Sequence, residues 1–268
     1  MAASGAAITT VLGAPAPLRD RVAIVTGGNG GIGSAVCRHL ASLGARVVVN
    51  YVDDPAAADD LVSAINAGYG GATRAVAVEA DVSDEGQVRA LFDAAARSFG
   101  PTLHILVTTA AVMDASYPSL ADTTAQCFDR TFAVNARGTF LCCREAARRL
   151  VRGGGGRIVT FSSSGVGSLR PGYSAYLATK AAIETMTRIL AKELRGTGIT
   201  ANTVAPGPTA APLLYAGKTE AELATYTAEI PLGRVGQPED VANVVAFLVS
   251  DAGEWINAQV VRANGGNV

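Results

Sequence analysis

Tyr176 and Lys180 stand four residues apart in the segment YSAYLATKAAIETM, and twelve residues, 164 to 175, separate Tyr176 from Ser163. A spacing of four puts both side chains on one face of a helix. A phenol with an ordinary pKa of about 10 is a poor acid or base near neutrality, and an ammonium fixed beside it favours the phenolate. The pair therefore points to proton transfer. Ser163 closes the apolar run RIVTF, at the strand edge where open parallel sheets bind their ligands. Ser162 and Ser164 flank it, and only the spacing to Tyr176 singles out the middle serine.

Such residues need a frame to hold them. The runs VAIVT (22–26), RVVVN (46–50), AVAVE (75–79), HILV (104–107), RIVTF (157–161), TANTV (200–204) and QVVRA (259–263) are almost continuously apolar. Strands covered on both faces read this way. Between them, helical spacing of apolar residues starts near Ile32, Ala56, Glu85, Thr124, Ala136, Ser174 and Pro238. The alternation predicts one α/β domain over 19–268, a doubly wound Rossmann-type fold with a seven-stranded parallel sheet, behind a flexible tail at 1–18. Gly153 to Gly156 reads as the turn that closes a helix. The stretch 207–230 is the expected substrate segment, where Leu213, Leu214 and Tyr215 either form an apolar wall or pack the segment on the core.

The first strand runs into GGNGGIGSAVCRHL, a glycine turn followed by a helix, in which backbone amides can approach a pyrophosphate. Two registers compete. Gly28, Gly30 and Gly33 fit G-x-G-x-x-G, while Thr26, Gly27, Gly31, Ile32 and Gly33 fit the more specific T-G-x-x-x-G-I-G. For NAD(H), an acid belongs about 20 residues onward, on the ribose 2′-hydroxyl. The chain has Asn50 and Tyr51 there, with Asp53 and Asp54 arriving late as ribose acids or as turn residues before Pro55. Without the acid a 2′-phosphate is not repelled, yet no Arg or Lys in the turn attracts one. The balance favours NADP(H), with NAD(H) the alternative.

Composition closes off other classes. With 22 Lys+Arg against 23 Asp+Glu, no net positive field is available for nucleic acid. Four cysteines without paired spacing argue against a disulfide framework, and two histidines with no ligand pattern argue against a metal. No apolar run reaches the ~18 to 20 residues of a membrane span. Residues 1–18 carry no Lys or Arg, unlike a secretory or transit peptide, so a cytoplasmic protein is expected, with organelle targeting the alternative.

Taken together and in order, TGGNGGIG (26–33), DVSD (81–84), NARG (135–138), the Ser163, Tyr176 and Lys180 set, VAPGP (204–208) and PLGRVGQPEDVANVVAFL (231–248) resemble the short-chain dehydrogenase/reductase family. The resemblance implies hydride transfer between the cofactor and a small carbonyl or alcohol substrate. Tyr176 is then the general acid or base, Lys180 lowers its pKa and holds the nicotinamide ribose, and Ser163 binds the carbonyl oxygen. Asn135 would support a water-linked relay to Lys180. Asp81 and Val82 would contact adenine, and Pro206, Gly207 and Thr209 would border the nicotinamide. Within the family, the likeness is to reductases of apolar or aromatic ketones, aldehydes and quinones. The family pattern also implies a homotetramer, paired through the helices from Ala136 and Ser174. One departure stands out: the usual Asn-Asn-Ala-Gly is Thr108, Thr109, Ala110 and Ala111. That change is what favours the competing reading, a catalytically weak nucleotide-binding sensor or scaffold.

Overall fold

The computed structural model describes residues 16–268; the rest of the expected tail, 1–15, lies outside the described residues. In chain order the elements are β1 (Val22–Thr26), α1 (Gly31–Ser42), β2 (Arg46–Tyr51), α2 (Pro55–Ala67), β3 (Ala75–Glu79), α3 (Glu85–Phe99), β4 (Ile105–Thr108) and α4 (Ala125–Thr131). A π-helical segment, Phe132–Gly138, leads into α5 (Thr139–Arg149), then β5 (Arg157–Phe161), α6 (Gly165–Ser168), α7 (Ser174–Glu193) and β6 (Thr200–Pro206). The chain ends through α8 (Pro212–Tyr215), α9 (Glu220–Glu229), α10 (Pro238–Val249) and β7 (Val260–Ala263).

The strands form one sheet of order β3-β2-β1-β4-β5-β6-β7, parallel throughout. Every residue of β1, β4, β5 and β6 is buried, which explains their unbroken apolar runs. One face is covered by α1 and α10, with Val36, Leu40, Val245 and Val249 in the core. The other is covered by α3 and α5, with Leu91, Phe92, Leu141 and Cys142. From β1 the sheet is extended first to one side, through β2 and β3, and then to the other, from β4 to β7, so a crevice opens at the carboxyl ends of β1 and β4, where doubly wound sheets bind ligands.

Three features differ from the sequence reading. Leu18, assigned to the tail, is fully buried and donates its amide to the Leu43 carbonyl at 3.0 Å, so the packed domain begins before residue 19. The helix expected from Ala136 is continuous with α4 through the π-helical segment. The substrate segment contains two helices, α8 and α9, that were not expected. Among the described residues, no helix is long and apolar enough to cross a membrane.

Candidate active site

Gly27, at φ +61°, turns the chain out of β1. A Cβ there would fall 2.8 Å from the Ala110 Cα; one at Gly33 would fall 2.1 Å from the Gly27 carbonyl, and one at Gly31 2.8 Å from the Ala211 Cβ. Gly28 and Gly30 are less crowded, at 3.0 and 3.3 Å, which favours the T-G-x-x-x-G-I-G register. Gly30 is the N-cap of α1 and supplies no capping side chain, nor is there an acid in the first turn. The leading amides of α1 and its positive dipole end are thus left to an outside acceptor. Gly31, Ile32 and Gly33 line a cavity of about 930 Å³, and a dinucleotide diphosphate fits this cradle.

Several residues expected to touch cofactor also shape the turn. Asn50 is 1% exposed; its Oδ1 accepts from the Gly27 amide at 3.3 Å and its Nδ2 donates to the Ala80 carbonyl at 2.9 Å. With its side chain committed to backbone, Asn50 positions the turn. The Thr26 hydroxyl, also buried, accepts from the Ala110 amide at 3.4 Å. In the altered segment, Thr109 Oγ1 donates to the Thr26 carbonyl at 2.6 Å and ties β4 to the turn. Thr108 Oγ1 is buried with no hydrogen-bond partner, so the tie is made one position later than the family pattern suggests. Ala110 and Ala111 line the cavity, and the Ala111 backbone is not in the left-handed region.

At the carboxyl end of β2, Tyr51 borders the cavity. Asp54 caps α2, accepting from the Ala57 amide at 3.0 Å as a turn residue would, and both it and Asp53 line the cavity. Asn29, unmarked in the sequence because it fills a variable place in the motif, donates to the Asp53 carbonyl at 2.8 Å and clasps this loop to the glycine turn. Asp81 holds the Ser83 amide and hydroxyl, both at 2.8 Å, and Val82 packs beside Gly138. Pro206, Gly207 and Thr209 reach the cavity from the end of β6, with the Thr209 hydroxyl donating to the Gly207 carbonyl at 2.9 Å.

Ser163, Tyr176 and Lys180 all line the cavity. The Ser163 oxygen accepts from the Gly165 amide at 3.1 Å, which leaves its hydrogen to donate. Lys180 is 2% exposed; its Nζ donates to the Phe161 carbonyl at 3.0 Å and lies 5.4 Å from the centre of the Tyr176 ring. Burial pushes the Tyr176 phenol up to about 12 and pulls the Lys180 ammonium down to about 8. The expected lowering of Tyr176 by Lys180 is not seen: loss of water around each group sets its shift, and the ammonium is anchored to the Phe161 carbonyl. Asn135, fully buried in the π-helical segment, exchanges hydrogen bonds with the Val112 backbone at 2.8 and 2.9 Å. It also donates to Thr179 Oγ1 at 3.2 Å, and Thr179 donates to the Tyr176 carbonyl at 2.6 Å. Asn135 thus braces the helix that carries Tyr176.

A family model described as enoyl-(acyl carrier protein) reductase matches residues 27–267. The chain is 54% identical over 254 residues to a short-chain type dehydrogenase/reductase of Picea abies, covering 94% of this chain and 93% of that one. This chain belongs to the short-chain dehydrogenase/reductase family. Another member, the NADPH-dependent aldehyde reductase-like protein, chloroplastic, of Arabidopsis thaliana, is 52% identical over 262 residues, 95% of this chain and 96% of its own. Among solved family structures, a short chain dehydrogenase from Burkholderia cenocepacia in complex with NADP has a TM-score of 0.86 at 36% identity, covering 94% and 99% of the two chains.

At the outer end, Leu213 and Leu214 line the cavity, one of the two placements left open by the sequence, whereas Tyr215 is half exposed and lies outside it. Its place is taken by residues the sequence did not mark. Tyr173 and Tyr226 face the cavity with their hydroxyls 2.9 Å apart, and Arg170 and Lys218 stand beside them. Only the rarity of lysine, at 180, 192 and 218, drew notice to the last of these.

Proposed function

We propose that this short-chain dehydrogenase/reductase is an NADP(H)-dependent carbonyl reductase that also works in the alcohol-oxidising direction. The observation that carries the reading is the continuity of one cavity from the glycine cradle to Ser163, Tyr176 and Lys180. NADPH, when bound, supplies the hydride. Ser163 donates its free hydrogen to the substrate oxygen, and Tyr176, kept protonated by its enclosure, delivers the proton that oxygen needs as it becomes an alcohol. Lys180 holds the nicotinamide ribose and replenishes the tyrosine, and Asn135 braces the helix that carries both. Tyr51 at the β2 end, the name of the Arabidopsis relative and the NADP of the Burkholderia structure support NADP(H) over NAD(H). Leu213, Leu214, Tyr173 and Tyr226 favour an apolar or aromatic ketone, aldehyde or quinone. The cytoplasm is the proposed compartment, with an organelle the alternative that the chloroplastic relative favours.

Replacement Tyr176→Phe tests the reading. NADPH oxidation with a panel of aldehydes and ketones should fall by a factor of about 100 or more, while NADPH affinity stays nearly intact. Lys180→Ala should weaken both. A Phe variant that kept most of its kcat would overturn the assignment.

A further inference from the structure

Charge is unevenly spread around the cavity. Its three lining acids, Asp53, Asp54 and Asp81, sit in the loops after β2 and β3. The flap end, built by α8, α9 and the loop before α7, contributes Arg170 and Lys218 and no carboxylate to the lining. Arg170 is committed: it pairs with Glu229 of α9 and lies 4.4 Å over the Tyr226 ring. Lys218 has no ion-pair partner among the described residues. Its Nζ donates to the Tyr117 hydroxyl and stands 4.3 Å from the Tyr117 ring centre and 5.8 Å from those of Tyr173 and Tyr226.

Three tyrosine rings fix the ammonium in place, and Glu222 of α9, an acid that feels its charge, is bound to the Thr219 cap and makes no ion pair with it. A lysine has three hydrogens to donate, and the Tyr117 hydroxyl takes one; that hydroxyl in turn donates to the Ala216 carbonyl at 2.7 Å. Tyr173 accepts the Leu177 amide one turn before Tyr176, so the cage adjoins the proton donor along the start of α7. We infer that Lys218 receives a carboxylate on the substrate, remote from the carbonyl that Tyr176 serves. This rests on the carbonyl reductase reading and narrows it to aromatic or short apolar aldehydes and ketones that carry an acid group. The rings take the apolar body, and the half-buried ammonium takes the charge.

The test is calorimetry on the NADPH-loaded protein, which cannot turn over an alcohol, with 4-(hydroxymethyl)benzoate and its neutral counterpart 4-methylbenzyl alcohol. The acid should bind at least about tenfold more tightly, the size expected of a charged hydrogen bond. Lys218→Met should bring the two Kd values close together, and Lys218→Arg should restore most of the difference. Raising salt from about 0.05 to about 0.5 M should weaken only the acid, a measurement on the parent that stands even if a variant disturbs the flap. Equal affinities in the parent, or equal weakening of both ligands by Lys218→Met, would overturn the inference and make Lys218 a latch for the flap. Turnover of 4-formylbenzoate and 4-methylbenzaldehyde is measured beside it. If neither is reduced, the reductase reading falls, while the two Kd values still decide whether an anion site exists.

Discussion

Lys180 has the Phe161 carbonyl as its hydrogen-bond partner and a pKa that burial has drawn down to about 8, from an ordinary 10.5. Between those two values the unfolded chain still holds a proton that the folded chain has released, so stability rises with pH across that window and the full cost lies below it. At ~1.4 kcal/mol per pKa unit the cost is of order 3 kcal/mol. Lys180→Met keeps the stem and removes the charge. It should raise the denaturant midpoint at pH 7, by an advantage that shrinks between pH 8 and 10 in parallel titrations. An advantage independent of pH would trace to packing instead. The Tyr176 shift acts in the opposite sense, with stability lost as pH climbs from 10 toward 12, so the comparison belongs below that range. Ser163, Tyr176 and Lys180 were legible in the sequence because their spacing is itself the signal. The hydroxyl that ties β4 to the glycine turn was not. Thr108 and Thr109 are neighbours of one type, and only the crevice, with Thr26 opposite Thr108 in register, decides that Thr109 makes the bond.

Among the elements, the turn between β1 and α1 has the least room for change. A methyl group at Gly33 would meet the Gly27 carbonyl at 2.1 Å, and a backbone atom cannot swing aside as a side chain can. Gly33→Ala should weaken NADPH binding about tenfold or more, the result of an overpacked contact of ~1 to 3 kcal/mol, with far-UV circular dichroism unchanged. Gly30→Ala, facing its nearest atom at 3.3 Å, should have a small effect, and fluorescence titrations showing equal losses would refute the ordering. Long buried strands and the larger helices were readable because each carries a strong apolar pattern. Helices α8 and α9 contain no buried residue, so no apolar stripe marked them, and their place is set by the cavity they cover. The tyrosine cage was hidden for the same reason: Tyr117, Tyr173 and Tyr226 come from three separate stretches of chain that meet only in the fold.

For the whole molecule, large apolar side chains remain on the outside. Phe140 of α5 and Ile189 of α7 are about half exposed, as is Phe247 of α10, and Trp255 is 96% exposed. Such surface favours association between copies, and closed symmetric assemblies are the usual outcome. We expect a homotetramer by light scattering at micromolar concentration; a monomer mass would refute it. Trp255 is the only tryptophan, so dilution should shift its emission to the red as the tetramer separates.

From Ala125 to Arg149 the chain runs as one rod, interrupted by the wider π turn from Phe132 to Gly138. Such a turn holds a surplus residue, and at 3.6 residues per turn one residue is a rotation of about 100°. The rod therefore has two phases, one that aims Asn135 at Val112 and one that aims Cys142 into the core and Phe140 outward. Losing a residue between Asn135 and Gly138 would leave a smoother helix able to satisfy only one of them. The irregular turn acts as a phase shifter, and through it the brace behind Tyr176 and the outward face of α5 are set by the same length of chain.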